Sequence, residues 1–301
     1  MNSLIQLLNS FVNSLDTGEI AIIIILIVFS ILVSSSKGVR KALRGVVKAF
    51  LATKIIIPFM GMVLYISLIS FMLYHLGVLN ANLVKYVFFW FFPVAIPLFL
   101  AVNKVKEDKN FFKTNAVESV KLATFFSFLI NFYTFNIIFE LILTSTTFFL
   151  ILLIAVSKID KKYKPVENLL TAILVIIVAC LFIFFIYNLF KHPNEFINIT
   201  TGIAYALPAI LTILLLPFIY LFALYVSYEW FYNVRLKLVI NESKLRKYAF
   251  KEVFKRYNLN LYGLNDFLSE FIIFNIQSNE DVDNEILKAE ERVKSQNENI
   301  E

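Results

Sequence analysis

Long stretches without any charged residue constrain this chain more than any other feature. Asp, Glu, Lys and Arg are absent from the runs 20–36, 55–84, 86–103, 168–190 and 196–228, and the run 122–157 contains one charge, Glu140. A run of about 18 or more such residues can cross the bilayer as a helix, in which the backbone polar groups bond to one another. The sequence therefore predicts an all-α, polytopic membrane helix bundle and excludes a soluble fold.

The runs predict about seven transmembrane helices in a bundle that covers residues 20–228. The predicted spans are 20–36, 55–79, 86–103, 122–139, 141–157, 168–190 and 203–228. The stretch 122–157 is ambiguous, because it is long for one span and short for two. We divide it by a hairpin that turns near 140–146, since the basic loop that follows then lies on the same side as the two earlier basic loops.

The distribution of Lys and Arg predicts the orientation of the bundle. With seven spans, the loops after the first, third and fifth spans contain six, five and four of these residues, and the C-terminal tail contains eleven. Only Lys85 and Lys191 lie on the opposite side. Cytoplasmic loops are enriched in Lys and Arg. The N-terminus is therefore predicted to be outside and the C-terminus inside.

Amphipathic helices are predicted before and between the spans. Residues 1–19 form an amphipathic N-terminal segment, in which 1–15 are predicted to be an uncharged amphipathic helix. In the loop 37–54, basic residues share one face of a helix and apolar residues share the opposite face. The basic face contains Lys37, Arg40, Lys41, Arg44 and Lys48. Such a helix is typical of segments that lie on an anionic leaflet, so these residues are predicted to face lipid.

The tail, 229–301, is predicted to be helical and cytoplasmic. A first helix begins after Asn241 or Ser243, ends at Tyr257 and has a basic, lipid-facing side. This side contains Lys244, Lys247, Lys251 and Lys255. A short helix follows across 265–274. From residue 280 to the end, eight acidic residues stand against three basic ones, which predicts a solvated or frayed helix.

Four polar residues in or near the spans are candidates for lining a pore or polar path: Glu140, His75, Asn131 and Asn136. Each also has a simpler explanation. Glu140 belongs to the membrane interface if it lies at the outer end of the hairpin, and marks an ion path if it lies inside a span. His75 is either pore-facing or interfacial, and the two asparagines either line a path or join helices by hydrogen bonds.

No sequence motif indicates catalysis, and the chain is predicted not to be an enzyme. Phosphate-binding GxxxxGK[ST], GxSxG and HExxH motifs are absent. One cysteine, Cys180, and two histidines are too few for the common cysteine or histidine metal sites. The sequence thus predicts no catalytic, metal or cofactor-binding residues, and it has no nucleic-acid-binding module.

Three segments resemble a known group of proteins. They are KAFLATKIIIPFMGMVLY (48–65), FWFFPVAIPLFLAVNKVKEDKNFFK (89–113) and LTILLLPFIYLFALYVSYEWFYNVRL (211–236). In this order, they resemble a group of uncharacterised bacterial multi-pass membrane proteins, over nearly the whole chain. The resemblance implies a bacterial cytoplasmic (inner) membrane and no particular activity.

Three functions remain open from the sequence. The first is a channel or pore-type effector, of the kind used in phage defence, gated by the tail or a partner. The second is a membrane scaffold that docks a cytoplasmic protein through its tail. The third is a secondary transporter of a neutral or lipophilic solute, which would use the proline-containing third and seventh spans. Anionic lipids of the inner leaflet and further copies of the chain are the other expected partners.

Overall fold

The computed structural model describes residues 15–80, 83–102, 117, 121, 135–191, 199–271 and 276–298, and these form helices and short connections without a strand. The helices are α1 (Thr17–Ser35), α2 (Lys37–Phe50), α3 (Thr53–His75), α4 (Val84–Leu100), α5 (Ile137–Ser157), α6 (Lys164–Lys191), α7 (Ile199–Trp230), α8 (Ser243–Tyr257), α9 (Leu261–Glu270) and α10 (Asn279–Glu298). The predicted all-α class is thus confirmed.

Five of these helices, α1, α3, α5, α6 and α7, are long and apolar enough to cross a membrane, and α4 is a shorter apolar helix. The positions of these six helices agree with six of the seven predicted spans, because long uncharged runs mark membrane helices directly. Most of the predicted fourth span, 122–139, lies outside the described residues, as do Asn131 and residues 1–14 of the N-terminal segment 1–19.

The hairpin predicted near 140–146 is not present, because α5 begins at Ile137 and continues to Ser157. Asn136 caps this helix: its side-chain oxygen accepts a hydrogen bond from the backbone N–H of Ile138 at 3.0 Å. Glu140 therefore lies in the first turn of a helix and not in a loop. The prediction relied on charge and overlooked the asparagine as an N-cap residue.

Prolines do not break the predicted third and seventh spans. Pro93 lies in a π-helical segment of α4, Phe91–Ala95, whose wider turn accommodates the lost backbone donor. In α7, Pro208 and Pro217 lie within one continuous helix. The broken helices that the transporter hypothesis would use are thus absent from these two described helices.

Among the described residues, the chain forms two compact units: one comprises 1–93 and 120–211, and the other 94–119 and 212–301. In the first unit, α5 packs against both α1 and α6. Thr17 at the start of α1 donates a hydrogen bond to the carbonyl of Phe135 at 2.9 Å, and Phe29 contacts Phe148 edge-on at 5.1 Å. These contacts fix α1 along α5.

In the second unit, the C-terminal part of α7 packs with the tail helices. The helix continues past the predicted boundary at 228, through a π-helical segment, Phe231–Arg235, to Val239. Tyr228 donates a hydrogen bond to the carbonyl of Asn258 at 2.9 Å, and the fully buried Phe231 contacts Phe271 at 5.6 Å. The tail therefore packs on the extension of the last span.

The prediction that the end of the tail is solvated or frayed is wrong for 279–298. There α10 packs against α8 and α9, and Val282, Ile286 and Ala289 are fully buried. Arg292 donates to the carbonyl of Glu270 at 2.9 Å. The many acidic residues obscured an apolar stripe with helical spacing, which was the available signal. The short helix predicted across 265–274 begins earlier, at Leu261.

Candidate functional site

A buried ionic cluster joins the beginnings of α1 and α4. The ammonium nitrogen of Lys85 lies 2.6 Å from Asp16 Oδ2 and 3.3 Å from Glu19 Oε2. Lys85 is 6% exposed and Glu19 is 2% exposed, although both lie at the ends of apolar helices. Charged groups in such surroundings require a partner, because the loss of hydration costs several kcal/mol. The cluster is therefore the most strongly constrained polar feature of this unit.

Local sequence positions the two acidic residues. Asp16 is the N-cap residue of α1, and Glu19 lies in its first turn. The carboxylate of Glu19 turns back and accepts a hydrogen bond from the backbone N–H of Asp16 at 2.9 Å, as in one half of a capping box. This bond and Lys85 hold the same oxygen, Oε2. The other oxygen, Oε1, is buried and has no hydrogen-bond partner among the described residues.

Glu140 approaches the same end of α1 from α5. Its Oε1 accepts a hydrogen bond from the backbone N–H of Phe135 at 3.2 Å. Its Oε2 lies 3.5 Å from the position that a Cβ atom would take on Gly18, which is an ordinary van der Waals distance, so this carboxylate lies beside the first turn of α1. Three carboxyl groups, those of Asp16, Glu19 and Glu140, thus lie at one end of the α1–α5 pair.

These three acidic residues line one cavity of about 1270 Å³. The cavity follows α1 from Asp16 to Ser35, and it also contacts residues of α4, α5 and α6. Nineteen helical residues cover about 28 Å at 1.5 Å each, which is close to the thickness of the hydrocarbon layer. The part of α1 that lines the cavity is therefore about as long as the hydrocarbon layer is thick.

Most of the cavity wall is apolar. Isoleucines and leucines of α1, α5 and α6 form its middle part, and Phe88, Phe89, Phe92, Phe135 and Phe148 contribute aromatic surface. Besides the carboxylates, the polar groups that the described residues contribute to the wall are hydroxyls. They belong to Ser30, Ser34, Ser35, Thr144 and Thr147. A wall of this kind favours an apolar body over a hydrated ion.

A second, shallower groove of about 750 Å³ lies between the end of α1 and α2. It is lined by Arg40, Arg44 and Lys48 together with apolar residues such as Leu43 and Val47. Ser34 lines both this groove and the large cavity. Basic side chains therefore lie next to the end of the cavity that is opposite the carboxylates.

The structure separates the residues that the sequence proposes for a polar path. Glu140 lines the cavity, whereas Asn136 is exposed and caps α5. His75 is the last residue of α3, is exposed, and has its ring 4.4 Å from that of Phe71, so it does not line the cavity. Asn131 lies outside the described residues.

Asp16, Glu19 and Lys85 are site residues that were not predicted from the sequence. Two signals were available: an acidic pair with capping-box spacing immediately before a membrane span, and one lysine between two long uncharged runs. The acidic pair and the lysine all lie on the predicted outer side of the membrane.

The basic faces have the predicted form. Helix α2 is amphipathic, and Lys37, Arg40, Lys41, Arg44 and Lys48 are all exposed. On α8, Lys244, Lys247, Lys251 and Lys255 are exposed, opposite the buried Leu245, Ala249 and Val253. Lys255 pairs with Glu252 at 2.7 Å. Contact of either face with lipid remains a prediction.

Within the described ranges, no group of three or more His, Cys, Asp and Glu side chains has an arrangement that could hold a metal ion. No protein-family model, curated protein or solved structure matches this chain. The fold and the apolar helices define a multi-pass α-helical membrane protein. Its particular function must be inferred from the ionic cluster and the cavity.

Proposed function

We propose that this protein transports a lipophilic or amphiphilic solute across the bacterial cytoplasmic membrane, along the cavity beside α1. The observation that carries the proposal is that this cavity is lined by residues from both ends of a membrane-length helix. A cavity of this length and volume is therefore a candidate path or binding site for a solute.

The cavity wall favours an apolar solute over a bare ion. An ion that leaves water requires several oxygen ligands or a continuous polar path. Here, the hydroxyls of Ser30, Thr144 and Thr147 are set among aliphatic and aromatic side chains. An apolar body would instead gain free energy from every part of its surface that the wall covers, at about 25 cal/mol per Å².

The proposed topology retains the sequence prediction of seven spans, with the N-terminus outside and the tail in the cytoplasm. The ionic cluster then lies at the outer surface and the basic groove of α2 at the inner surface. The exposed Lys and Arg side chains of α2 support this orientation, because anionic headgroups are abundant on the inner leaflet. The exposed face of α8 adds basic residues that would lie on the same side.

A pore-type effector, as in phage defence, is the second candidate. The observation that favours it is the length of the part of α1 that lines the cavity, which matches the hydrocarbon thickness. A pore and a transporter differ in what moves. A pore would dissipate an ion gradient, whereas a transporter would move its solute while the membrane potential persists.

The two candidates can be compared in proteoliposomes with a K⁺ gradient and a potential-sensitive dye. Uptake of two fluorescent amphiphiles, cationic rhodamine 6G and a neutral nitrobenzoxadiazole-labelled alkyl alcohol, is measured against protein-free liposomes. We expect faster uptake of at least one of them with the potential retained. Thr144→Phe, which fills the cavity, is expected to remove this uptake. Thr146→Phe is the matched control, because Thr146 is exposed, lies on the same helix and does not line the cavity.

The pore would be favoured over the transporter if the membrane potential collapses in the wild type and in Thr146→Phe but is retained in Thr144→Phe. Absence of both uptake and ion leak would contradict both and favour a scaffold. The search would then turn to a cytoplasmic protein that binds the tail.

A further inference from the structure

We propose that the ionic cluster binds the ammonium group of an organic cation whose apolar body occupies the cavity. This inference rests on the proposed transport function and specifies its solute. The polar head would interact with Glu19 and Glu140, and the hydrocarbon part would lie along the aliphatic and aromatic wall towards Ser30.

The charge at this end of the cavity favours a cation. Asp16, Glu19 and Glu140 line it, whereas Lys85, whose ammonium group lies nearby in the described part of the chain, does not belong to the lining. Lys85 is engaged with Asp16 Oδ2 and Glu19 Oε2. A solute in the cavity therefore meets carboxylates first, which attract a cation and repel an anion.

The unsatisfied oxygen of Glu19 favours a solute that can donate a hydrogen bond. This residue is 2% exposed, lines the cavity, and has no hydrogen-bond partner for Oε1 within the described part of the chain. A buried acceptor without a partner is costly, and the cost is larger for a charged group. An ammonium N–H that enters from the cavity would supply the missing donor. A neutral hydrocarbon would leave the oxygen unpaired.

The aromatic composition of the cavity wall favours an organic cation over an inorganic one. Phe88, Phe92 and Phe135 line the same cavity, Phe135 next to Glu140, and the rings of Phe88 and Phe92 are 5.0 Å apart. Aromatic rings stabilise organic cations through their faces, most strongly where water is excluded. An inorganic cation would instead need a shell of oxygen ligands. The combination of carboxylates and phenyl rings thus favours an organic ammonium.

The experiment measures binding to the purified full-length chain in lipid nanodiscs, by calorimetry, with three probes that share one apolar body. These are octylammonium, octanol and octanoate, at a pH where the amine is charged and the acid ionised. Empty nanodiscs give the background of partition into lipid. We expect saturable binding of octylammonium alone, because only its head combines hydrogen-bond donors with a positive charge.

Two variants test the assigned groups. Glu19→Gln and Glu140→Gln are each expected to weaken octylammonium binding by about tenfold or more, which is the usual effect of losing a hydrogen bond to a charged group. Asp160→Asn is the control, because Asp160 is an exposed cap residue that does not line the cavity. Its affinity is expected to equal that of the wild type. Glu140→Gln keeps the test valid if Glu19→Gln does not fold.

Equal binding of octanol or octanoate would overturn the inference, as would unchanged affinity in every acidic-site variant that folds. Competition by Na⁺ at an unchanged total ionic strength would also overturn it, because the site would then select an inorganic ion. If Thr144→Phe blocks uptake of the neutral amphiphile but octylammonium does not bind, the cation site is overturned and the transport proposal stands. Octylammonium binding without any solute uptake would contradict transport and support the binding site.

Discussion

Tyr220 in the middle of α7 donates a hydrogen bond to the backbone carbonyl of Leu259, between α8 and α9, at 2.6 Å. The same phenol oxygen accepts a hydrogen bond from the backbone N–H of Leu261 at 3.2 Å. The sequence assigns Tyr220 to the interior of the seventh span, yet it contacts the connection between two polar tail helices. From Tyr220 onwards, α7 therefore serves as a support for the tail helices.

Removal of the two tyrosine hydroxyls that join α7 to the tail is expected to destabilise this unit. Tyr220→Phe and Tyr228→Phe each remove hydrogen bonds to tail backbone groups, and we expect each to cost about 1 kcal/mol of unfolding free energy. The measurement is thermal unfolding in detergent. Tyr225→Phe is the matched control on the same helix, because Tyr225 is 56% exposed. Equal changes in the unfolding free energy of all three variants would contradict a stabilising role for the hydroxyls of Tyr220 and Tyr228.

Lys85 is expected to stabilise the first unit strongly. Lys85→Met leaves the carboxylates of Asp16 and Glu19 without their cation, and loss of one member of a buried ion pair costs about 3–5 kcal/mol. The double variant Lys85→Met with Glu19→Leu is expected to be more stable than Lys85→Met alone, because it removes the uncompensated buried charge.

The control for this pair is Lys191→Met. Lys191 is exposed at the end of α6 and lies 5.8 Å from the ring of Tyr187, so its loss is expected to change the unfolding free energy by less than about 1 kcal/mol. A double variant that is less stable than Lys85→Met would show that the charge pair does not account for the effect. Denaturant titration of the purified protein measures all three variants.

Burial of α10 is tested by two neighbouring residues. Ile286 is fully buried and Leu287 is 48% exposed. Ile286→Ala is expected to destabilise the second unit by about 2–5 kcal/mol. Leu287→Ala is expected to change its stability by about 0.5 kcal/mol or less. Equal small effects, measured by thermal unfolding, would favour the solvated helix that the sequence predicts and contradict the packing of α10.

Asp281 should make the stability of the tail depend on acid pH. The backbone N–H groups of Gln277 and Ser278 donate to its carboxylate at 3.1 and 2.9 Å, and these bonds, with the Ser278 side chain, lower the pKa of Asp281 below its usual value of 3.8. A carboxyl group whose pKa is lower in the folded state than in the unfolded state stabilises the folded state at pH values above its unfolded-state pKa. This contribution is lost as the pH falls through the folded-state pKa.

Asp281→Asn is therefore expected to reduce the slope of stability against pH below about pH 4. Glu280→Gln is the neighbouring control, because Glu280 is exposed at the same helix end. A slope that Asp281→Asn leaves unchanged would show that this helix end does not contribute to the acid sensitivity. Circular dichroism at a series of pH values gives the unfolding curves.

The sequence predicts the helices of the membrane region well, because a missing charge is a local property that needs no knowledge of the fold. It predicts the start of α5 less well. A charge at Glu140 suggested a loop, whereas the cap at Asn136 places this carboxylate in a helical turn beside Gly18. Local chemistry at a helix end thus decided the position of a site residue.

The ionic cluster was not predicted, because it depends on contacts between distant parts of the chain. Glu19 and Lys85 are 66 residues apart, and nothing local in either segment specifies that they meet. The positive-inside rule places both on the same side of the membrane but does not bring them together. Similarly, the burial of Ile286 depends on α8 and α9, whose packing surfaces are defined only in the folded tail.

The groove beside α2 provides a test of the predicted contact with anionic lipid. Arg40 and Arg44 line the groove, whereas Lys37 and Lys41 lie on the same helix outside it. We expect phosphatidylglycerol to stabilise the wild type against heat more than phosphatidylcholine does. Arg40→Gln with Arg44→Gln should reduce this difference by about 2 kcal/mol, at about 1 kcal/mol per basic residue near an anionic surface.

The matched control is Lys37→Gln with Lys41→Gln, which removes the same charge from the same helix without changing the groove. If lipid binds in the groove, the arginine pair should weaken the phosphatidylglycerol effect more than the lysine pair does, since a guanidinium group can bind a phosphate through two hydrogen bonds. Equal losses would indicate a diffuse attraction to the charged surface. No loss in either pair would contradict lipid binding by α2, and the predicted orientation would then depend on the loop charges alone.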